Sequence, residues 1–330
     1  MTGYRRHPSI RQRGIAAVTA LLVVAIATVL AAELAWELHV DIQRTESMLL
    51  RNQAIQFALG AELMAADGLR KDFESDEENN QHCDYPGEGW DEEITLPFEG
   101  GTVRGKITDM QGRFNLNNLL VNGVKDQETF DFFGRLLDQL GLERDLAAKV
   151  LDWIDPDQVE EFGGAEDGIY TAQTPPYRAA NTWFTTTTEL MAVDGFIDNR
   201  TTDARQDAFS LIERYVAALP SGQKINVNSA EDPLLLAMSK DSGSRDAAPL
   251  RANRPYCDLL AAQGTASSFM ADAKGVIDEN FANKYLDVGT SFFQLKVLVT
   301  LGTTQLTMYS LLYRDANGLV ITKLRYFDTK

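Results

Sequence analysis

The sequence predicts an α+β fold: a long N-terminal helix packed on an antiparallel sheet, with a large helical domain inserted into that sheet. Three observations predict it. An uncharged apolar run, Ile15 to Ala32, continues past its end in helical period. Residues 293–327 alternate apolar and polar with period two. The long middle of the chain carries helical period again, with turn residues between segments.

The first element is the apolar one. Residues 1–14 hold four Arg and no acid and end in Gly14. The eighteen apolar residues that follow reach the lower limit for crossing a hydrocarbon core of about 30 Å. The basic cluster keeps its own end cytoplasmic, which predicts a single-pass inner-membrane protein with its bulk in the periplasm. Two processing sites compete. A secretory signal is cut after such a run, for example at Ala25-Ile26-Ala27. A prepilin leader is cut before it, between Gly14 and Ile15. The helical pattern persists through Leu34, Leu38, Ile42, Leu49, Ile55, Leu59 and Leu63, with no Gly or Pro until Gly60 and Gly68. A helix of about fifty residues, half in the membrane and half outside, is a pilin stalk, and a cleaved signal has no need of that continuity. A plain signal anchor remains the third reading.

Acidic residues 72–93, with Pro86, Gly87 and Gly89, read as a loop. Thr102 to Asp109 turns Val103, Gly105 and Ile107 to one side and reads as a strand. Phe130, Phe133, Leu136, Leu137 and Leu140 share a helix face that Gly141 ends. Leu146, Val150 and Ile154 carry a second helix. Further helices are expected at 186–193, 203–218, 230–238 and 267–274. The C-terminal alternation reads as a three-stranded meander, with turns at Gly302-Thr303 and Asn317-Gly318. The expected organisation is a leader, 1–14; a stalk helix, 15–70; a sheet core from 71–114 and 286–330; and an insertion, 115–285, with 115–220 and 221–285 as candidate halves.

Charge narrows the function. The net charge is −17 and becomes −21 without the first fourteen residues, so the body repels nucleic-acid phosphates and attracts divalent cations. The Thr-rich start Phe184–Leu190 echoes a helix-hairpin-helix module, but Asp194, Asp198 and Asp203 crowd the segment where phosphate contacts belong, and no nucleic-acid partner is expected. Nucleophile elbows, phosphate loops and supported Cys–His pairs are missing, and His7, His39 and His82 have no zinc spacing, so no enzyme is expected. Phe114 to Leu119 reads as a capped helix start with a buried Phe and Leu. Tyr177–Asn181 reads as structural, with Arg178 free to pair with the acidic loop before it. Cys83 and Cys257, the two cysteines, allow one disulfide in an oxidising compartment; two free thiols are the alternative, and spacing does not choose.

That acidic loop is the candidate metal site. Seven carboxylates fall in sixteen residues: Asp152, Asp155, Asp157, Glu160, Glu161, Glu166 and Asp167. Calcium relieves such repulsion through six to eight oxygen ligands. Asp155, Asp157 and Glu166 stand at relative positions one, three and twelve, as in an EF-hand loop, but Val159 and Glu160 at five and six depart from that motif. The candidate ligands are Asp155, Asp157, Glu166 and Asp167, with Asp152, Glu161 and Asn181 behind them. The alternative is a solvated acidic loop.

Six stretches also carry a family resemblance: Arg11 to Leu34; Asp109-Met110-Gln111-Gly112-Arg113-Phe114-Asn115-Leu116-Asn117; Asp152-Trp153-Ile154-Asp155-Pro156-Asp157; Gly164-Ala165-Glu166-Asp167; Tyr177-Arg178-Ala179-Ala180-Asn181; and Ile225-Asn226-Val227-Asn228-Ser229-Ala230. In this order they resemble general secretion protein K, the large minor pseudopilin of type II secretion systems; residues 240–285 match loosely. The resemblance implies a type IV pilin-like fold with an inserted SAM-like helical domain that binds calcium. It implies a place at the tip of a periplasmic pseudopilus, where the protein initiates or caps the filament that drives protein secretion. Its partners would be minor pseudopilins I and J, other pseudopilins and the prepilin peptidase, with cleavage after Gly14 and methylation of Ile15. Most pilins carry Glu at the fifth mature position; here it is Thr19, which suits a subunit with none above it. The alternative is a membrane-anchored minor pilin of a type IV pilus or another periplasmic assembly factor.

Overall fold

The computed structural model describes residues 10–197, 207–239, 246–260 and 268–328. Helix α1 (Ile10–Asn79) is continuous. It passes Gly60 and Gly68 without a break and ends nine residues later than expected, taking in part of the stretch read as a loop. Of the acids there, Glu74, Glu77 and Glu78 are exposed, and Glu74 pairs with Arg70 one turn back at 2.5 Å. Asn80 stops the helix in the left-handed region (φ 52°), and the Gln81 N–H closes on the Asp76 carbonyl at 2.9 Å. From Gly14 to Leu49 nearly every side chain is exposed, and this segment is long and apolar enough to cross a membrane.

The C-terminal half of α1 is partly buried where the sheet begins. Ala54, Ala58 and Leu69 are fully buried, and Ile55, Leu59, Ala61 and Ala65 pack beside them. The sheet has five antiparallel strands in the order β1 (Ile94–Phe98), β2 (Gly101–Asp109), β3 (Phe292–Leu301), β4 (Thr304–Arg314) and β5 (Val320–Asp328). The C-terminal meander is β3–β5, as the alternation predicts; β1 is an addition to it. Val103, Ile107, Leu295, Val297, Val299, Leu306, Met308 and Leu312 all point at α1. Burying one face of an antiparallel sheet under a helix is the arrangement such alternation requires. Gly318 turns β4 into β5 with φ 77°, and a Cβ there would come within 2.5 Å of the Phe73 ring. The hairpin turn therefore packs directly on α1.

The inserted chain leaves β2 after Asp109 and returns at Phe292, between strands that pair with one another. Its helices are α2 (Gln127–Gln139), α3 (Leu146–Ile154), α4 (Asp232–Met238) and α5 (Glu279–Tyr285), joined by shorter turns. Most of the buried apolar residues form one cluster from Phe114 to Val288, together with Cys83. The Phe132 and Phe281 rings, from either side of residue 220, lie 5.4 Å apart. Asn115 accepts from the Asn117 N–H to cap a short 3₁₀ turn, and Phe114 and Leu116 are buried.

Several expected helices are shorter than their apolar period suggests. Residues 187–192 form a 3₁₀ helix capped by Thr186 and Glu189. In 203–218 the helix covers only Ala208–Ile212, and the chain then extends at Val216–Ala217 to pair with Phe114–Asn115; positions 203–206 lie outside the described residues. The helix expected at 267–274 covers Phe269–Asp272. Short segments gain more from packing on the common core than from propagating a helix.

Two joints tie insertion to sheet. Met110, Ala217, Leu219 and Phe292 form an apolar one, with Leu311 and Tyr313 against it. The polar joint centres on buried Arg314, which donates to Asp84, to Asp72 on α1 at 3.1 Å and to the Thr290 carbonyl at 3.3 Å. Cys83, next to Asp84, is disulfide-bonded to Cys257 of the insertion, with Cα atoms 4.8 Å apart.

Candidate metal centre

The acidic loop joins α3 to the short turn Asp167–Tyr170. Its shape is set by Asp152, fully buried in the last turn of α3, whose carboxylate accepts from the Ala165 N–H at 2.8 Å and the Glu161 N–H at 3.2 Å. Gly164 is required for this closure, because a Cβ there would overlap the Asp152 carboxylate at 1.9 Å. Glu161 turns away to Lys125 at 3.0 Å. Asp167 accepts from the Ala179 N–H at 3.0 Å and lies 3.6 Å from the Arg178 guanidinium. Asp152, Glu161 and Asp167 are thus engaged in holding the loop.

The remaining acids converge. Asp155, Asp157 and Glu166 bring carboxylate oxygens within 4.8 Å of one another. Asp157 is exposed, Asp155 half-buried and Glu166 buried. Burial, then the charges of Asp157 and Asp152, push Asp155 up to about 6. Burial, then Asp152 and Asp155, push Glu166 up to about 7. Among the described residues no cation faces the trio. Asp155 Oδ1 and both carboxylate oxygens of Glu166 are buried without a hydrogen-bond partner, and so is Asn181 Oδ1. Asn181, in the left-handed region at φ 47°, is held to the end of α3 by its N–H on the Trp153 carbonyl at 2.9 Å. Three orphaned carboxylate oxygens within the trio, with the orphaned Asn181 Oδ1 on a residue tied to the end of α3, fit a hard divalent cation; protons would have to neutralise the trio otherwise.

A second trio, Asp72, Asp76 and Glu88, also brings oxygens within 4.8 Å. It joins the end of α1 to the loop after it, so no local spacing signals it. Here Arg314 donates to Asp72, and Trp90 Nε1 (2.6 Å) and the Tyr85 N–H (3.1 Å) to Glu88, yet burial still pushes Glu88 up to about 7, and burial, then the charges of Asp72 and Asp84, push Asp76 up to about 6. Thr19 lies on the exposed part of α1 and donates its hydroxyl to the Ala16 carbonyl at 3.0 Å; Gly14 and Ile15 are one turn below it in the same helix.

A membrane-length helix packed by its C-terminal half on an antiparallel sheet, with a domain inserted between two central strands, defines a type IV pilin-like subunit. The same fold is found in the crystal structure of the GspK-GspI-GspJ complex from the enterotoxigenic Escherichia coli type 2 secretion system. The match has a TM-score of 0.70 at 22% identity, over 87% of this chain and 100% of that one. Residues 112–221 match the family described as Type II secretion system (T2SS), protein K. The protein of that name from Pseudomonas aeruginosa is 32% identical over 94% of this chain and 91% of its own length. The one from Pectobacterium carotovorum is 31% identical over 96% and 97%. The chain belongs to the type II secretion system protein K family, and it is a minor pseudopilin.

Proposed function

We propose that this minor pseudopilin stands at the tip of the pseudopilus, anchored in the inner membrane by residues 15–32, with its body in the periplasm and a structural role. Thr19 carries the reading. A Glu at that position neutralises the terminal amine of a neighbouring subunit; a hydroxyl spent on its own helix offers no such charge. The insertion, rising between two central strands, adds bulk that a stacked subunit would have to clear. The related E. coli chain was crystallised with GspI and GspJ, which supports minor pseudopilins I and J of the same system as partners here. Prepilin peptidase would cut after Gly14, and Ile15 would be methylated, because the basic leader abuts an uninterrupted apolar helix.

Calcium belongs to this reading. Asp155, Asp157, Glu166 and the Asn181 carbonyl would hold it, while Asp152, Glu161 and Asp167 keep the loop closed around them. The ion supplies positive charge and fixes the loop between α3 and the turn that follows; it takes part in no reaction. The test is the mature N-terminus of membrane-extracted protein, with imaging of labelled chain on assembled filaments. A start at Ile15 and label at one filament end are expected. A start beyond Ala27, or label at regular intervals along the filament, overturns the reading.

A further inference from the structure

The outer face of the sheet, opposite α1, carries a row of side chains set by the strand register. Lys106 on β2 stands directly opposite Lys296 on β3, Lys296 opposite Tyr309 on β4, and Tyr309 opposite Tyr326 on β5. The Lys296 ammonium is 5.5 Å from the Tyr309 ring centre, and the two tyrosine rings stack at 4.9 Å. Lys323, the extra residue of a bulge opposite Leu311 and Leu312, lies over Tyr313 on the same side. Arg104 completes the patch and is tied to Glu93 at 3.3 Å. The other acids near it are Asp328 at the end of β5 and Glu213 beside Tyr326.

This arrangement costs the fold something. Like charges directly opposite one another in a sheet are destabilising. Among the described residues, no carboxylate pairs with Lys106, Lys296 or Lys323. All three are exposed. Lysines often guard a sheet edge against another strand, but β2 and β3 are interior strands, so that purpose is absent. The chain as a whole carries net charge −17. Within it, one cationic, tyrosine-bearing surface is where an anionic partner is attracted and the remainder repels it.

We propose that this face docks a carboxylate-bearing surface of another protein subunit of the secretion assembly. One carboxylate can bridge the two ammonium groups, since side chains opposite one another stand about 5 Å apart at Cβ. The tyrosine pair supplies flat apolar area and hydroxyl groups beside it, the composition of interface cores. Membrane headgroups are the wrong occupant. The sheet begins at Ala54 on α1, twenty-two residues above Ala32, or roughly 30 Å at 1.5 Å per residue, several times the ~8 Å reach of charge at physiological salt.

The test uses the full chain in cells that assemble the secretion system, treated with a carbodiimide that joins amines directly to carboxylates. Lys106 or Lys296 should be found linked to an Asp or Glu of a different chain. Lys106→Glu with Lys296→Glu should lower recovery of the chain in the purified assembly about tenfold or more, and Lys106→Arg with Lys296→Arg should not. If the Glu pair fails to accumulate, Lys106→Ala with Lys296→Ala is read the same way. Links only within the chain, or no link while both amines stay reactive, overturn the proposal. So does full co-assembly of the accumulating Glu or Ala variant.

Discussion

Glu62 and Glu166 are buried to nearly the same degree, 5% and 7% exposed, in opposite halves of the molecule. Glu62 sits between α1 and the sheet. Arg325 donates to it twice, and the hydroxyls of Ser310 and Thr322 add to that. Burial pushes Glu62 up, but these partners outweigh it and hold its carboxyl below the usual range. Glu166, in the insertion, has neighbours of its own sign only and is driven up to about 7. In the pilin-like half Arg325 and Arg314 pair with buried Glu62 and Asp84, whereas among the described residues Glu166 has no such partner.

The largest effect should come from depriving the first kind of site of its cation. Arg314→Ala leaves Asp84 buried beside an unpaired Asp72 and should cost about 3–5 kcal/mol, read by thermal unfolding of the full chain in detergent. A loss near zero would mean that these acids reach water without Arg314.

The disulfide ranks next, because it joins the segment leading into the sheet to the insertion across 174 residues of chain. Replacing both Cys83 and Cys257 with Ser should cost about 2–4 kcal/mol and loosen the insertion before the sheet, as hydrogen exchange would show. Two alkylatable thiols in the native membrane-extracted protein would remove the bond from the comparison altogether.

Calcium should separate the two halves most cleanly. At a hundredfold excess over its dissociation constant it should add about 2.7 kcal/mol to the stability of the chain, and chelator should remove that gain. Asp155→Ala with Asp157→Ala should abolish the calcium response and leave the sheet's protection unchanged. No heat of binding at millimolar calcium would reduce the loop to a solvated acidic turn.

The smallest effect concerns Asp126, which caps α2 on the Thr129 N–H and pairs with Lys284 at 2.8 Å. Burial pushes its carboxyl up, but the bonds from Lys284, Thr129 and Tyr285 prevail and hold it at about 2, against 3.8 unperturbed. A depressed carboxyl contributes stability that is present above the unfolded value and lost as pH falls through the folded one. Asp126→Asn should therefore melt slightly below the parent above pH 4, and the gap should close as pH falls towards about 2. A gap that persists at pH 2 would assign the effect to packing and not to charge.

Local pattern is legible where one period dominates. The stalk, the meander and helices α2 and α3 follow from spacing, because each buries a single continuous face. β1 was not legible, since its five residues are largely exposed and hold their place by pairing with β2. The end of α1 was masked by acids that a loop and a solvated helix tolerate equally. In the acidic loop, the convergence of Asp155, Asp157 and Glu166 was readable from EF-hand spacing. Asp167 looked like a fourth ligand from sequence, yet its carboxylate faces the Ala179 N–H and Arg178.

Sequence by itself determined the class of the protein: an apolar stalk of membrane length, a period-two C-terminus, an acidic insertion with one dense cluster of carboxylates, and two cysteines. These are properties of composition and short-range order, and they survive in an unfolded chain. Tertiary structure alone decided which carboxylates are served and which are left over. That depends on where Arg314 and Arg325 arrive from more than two hundred residues away, and on Gly164 letting the loop close on Asp152. It also decided that Lys106 and Lys296, 190 residues apart, face each other across paired strands. Charge separations of a few ångströms are set by register and loop closure, which no local spacing encodes.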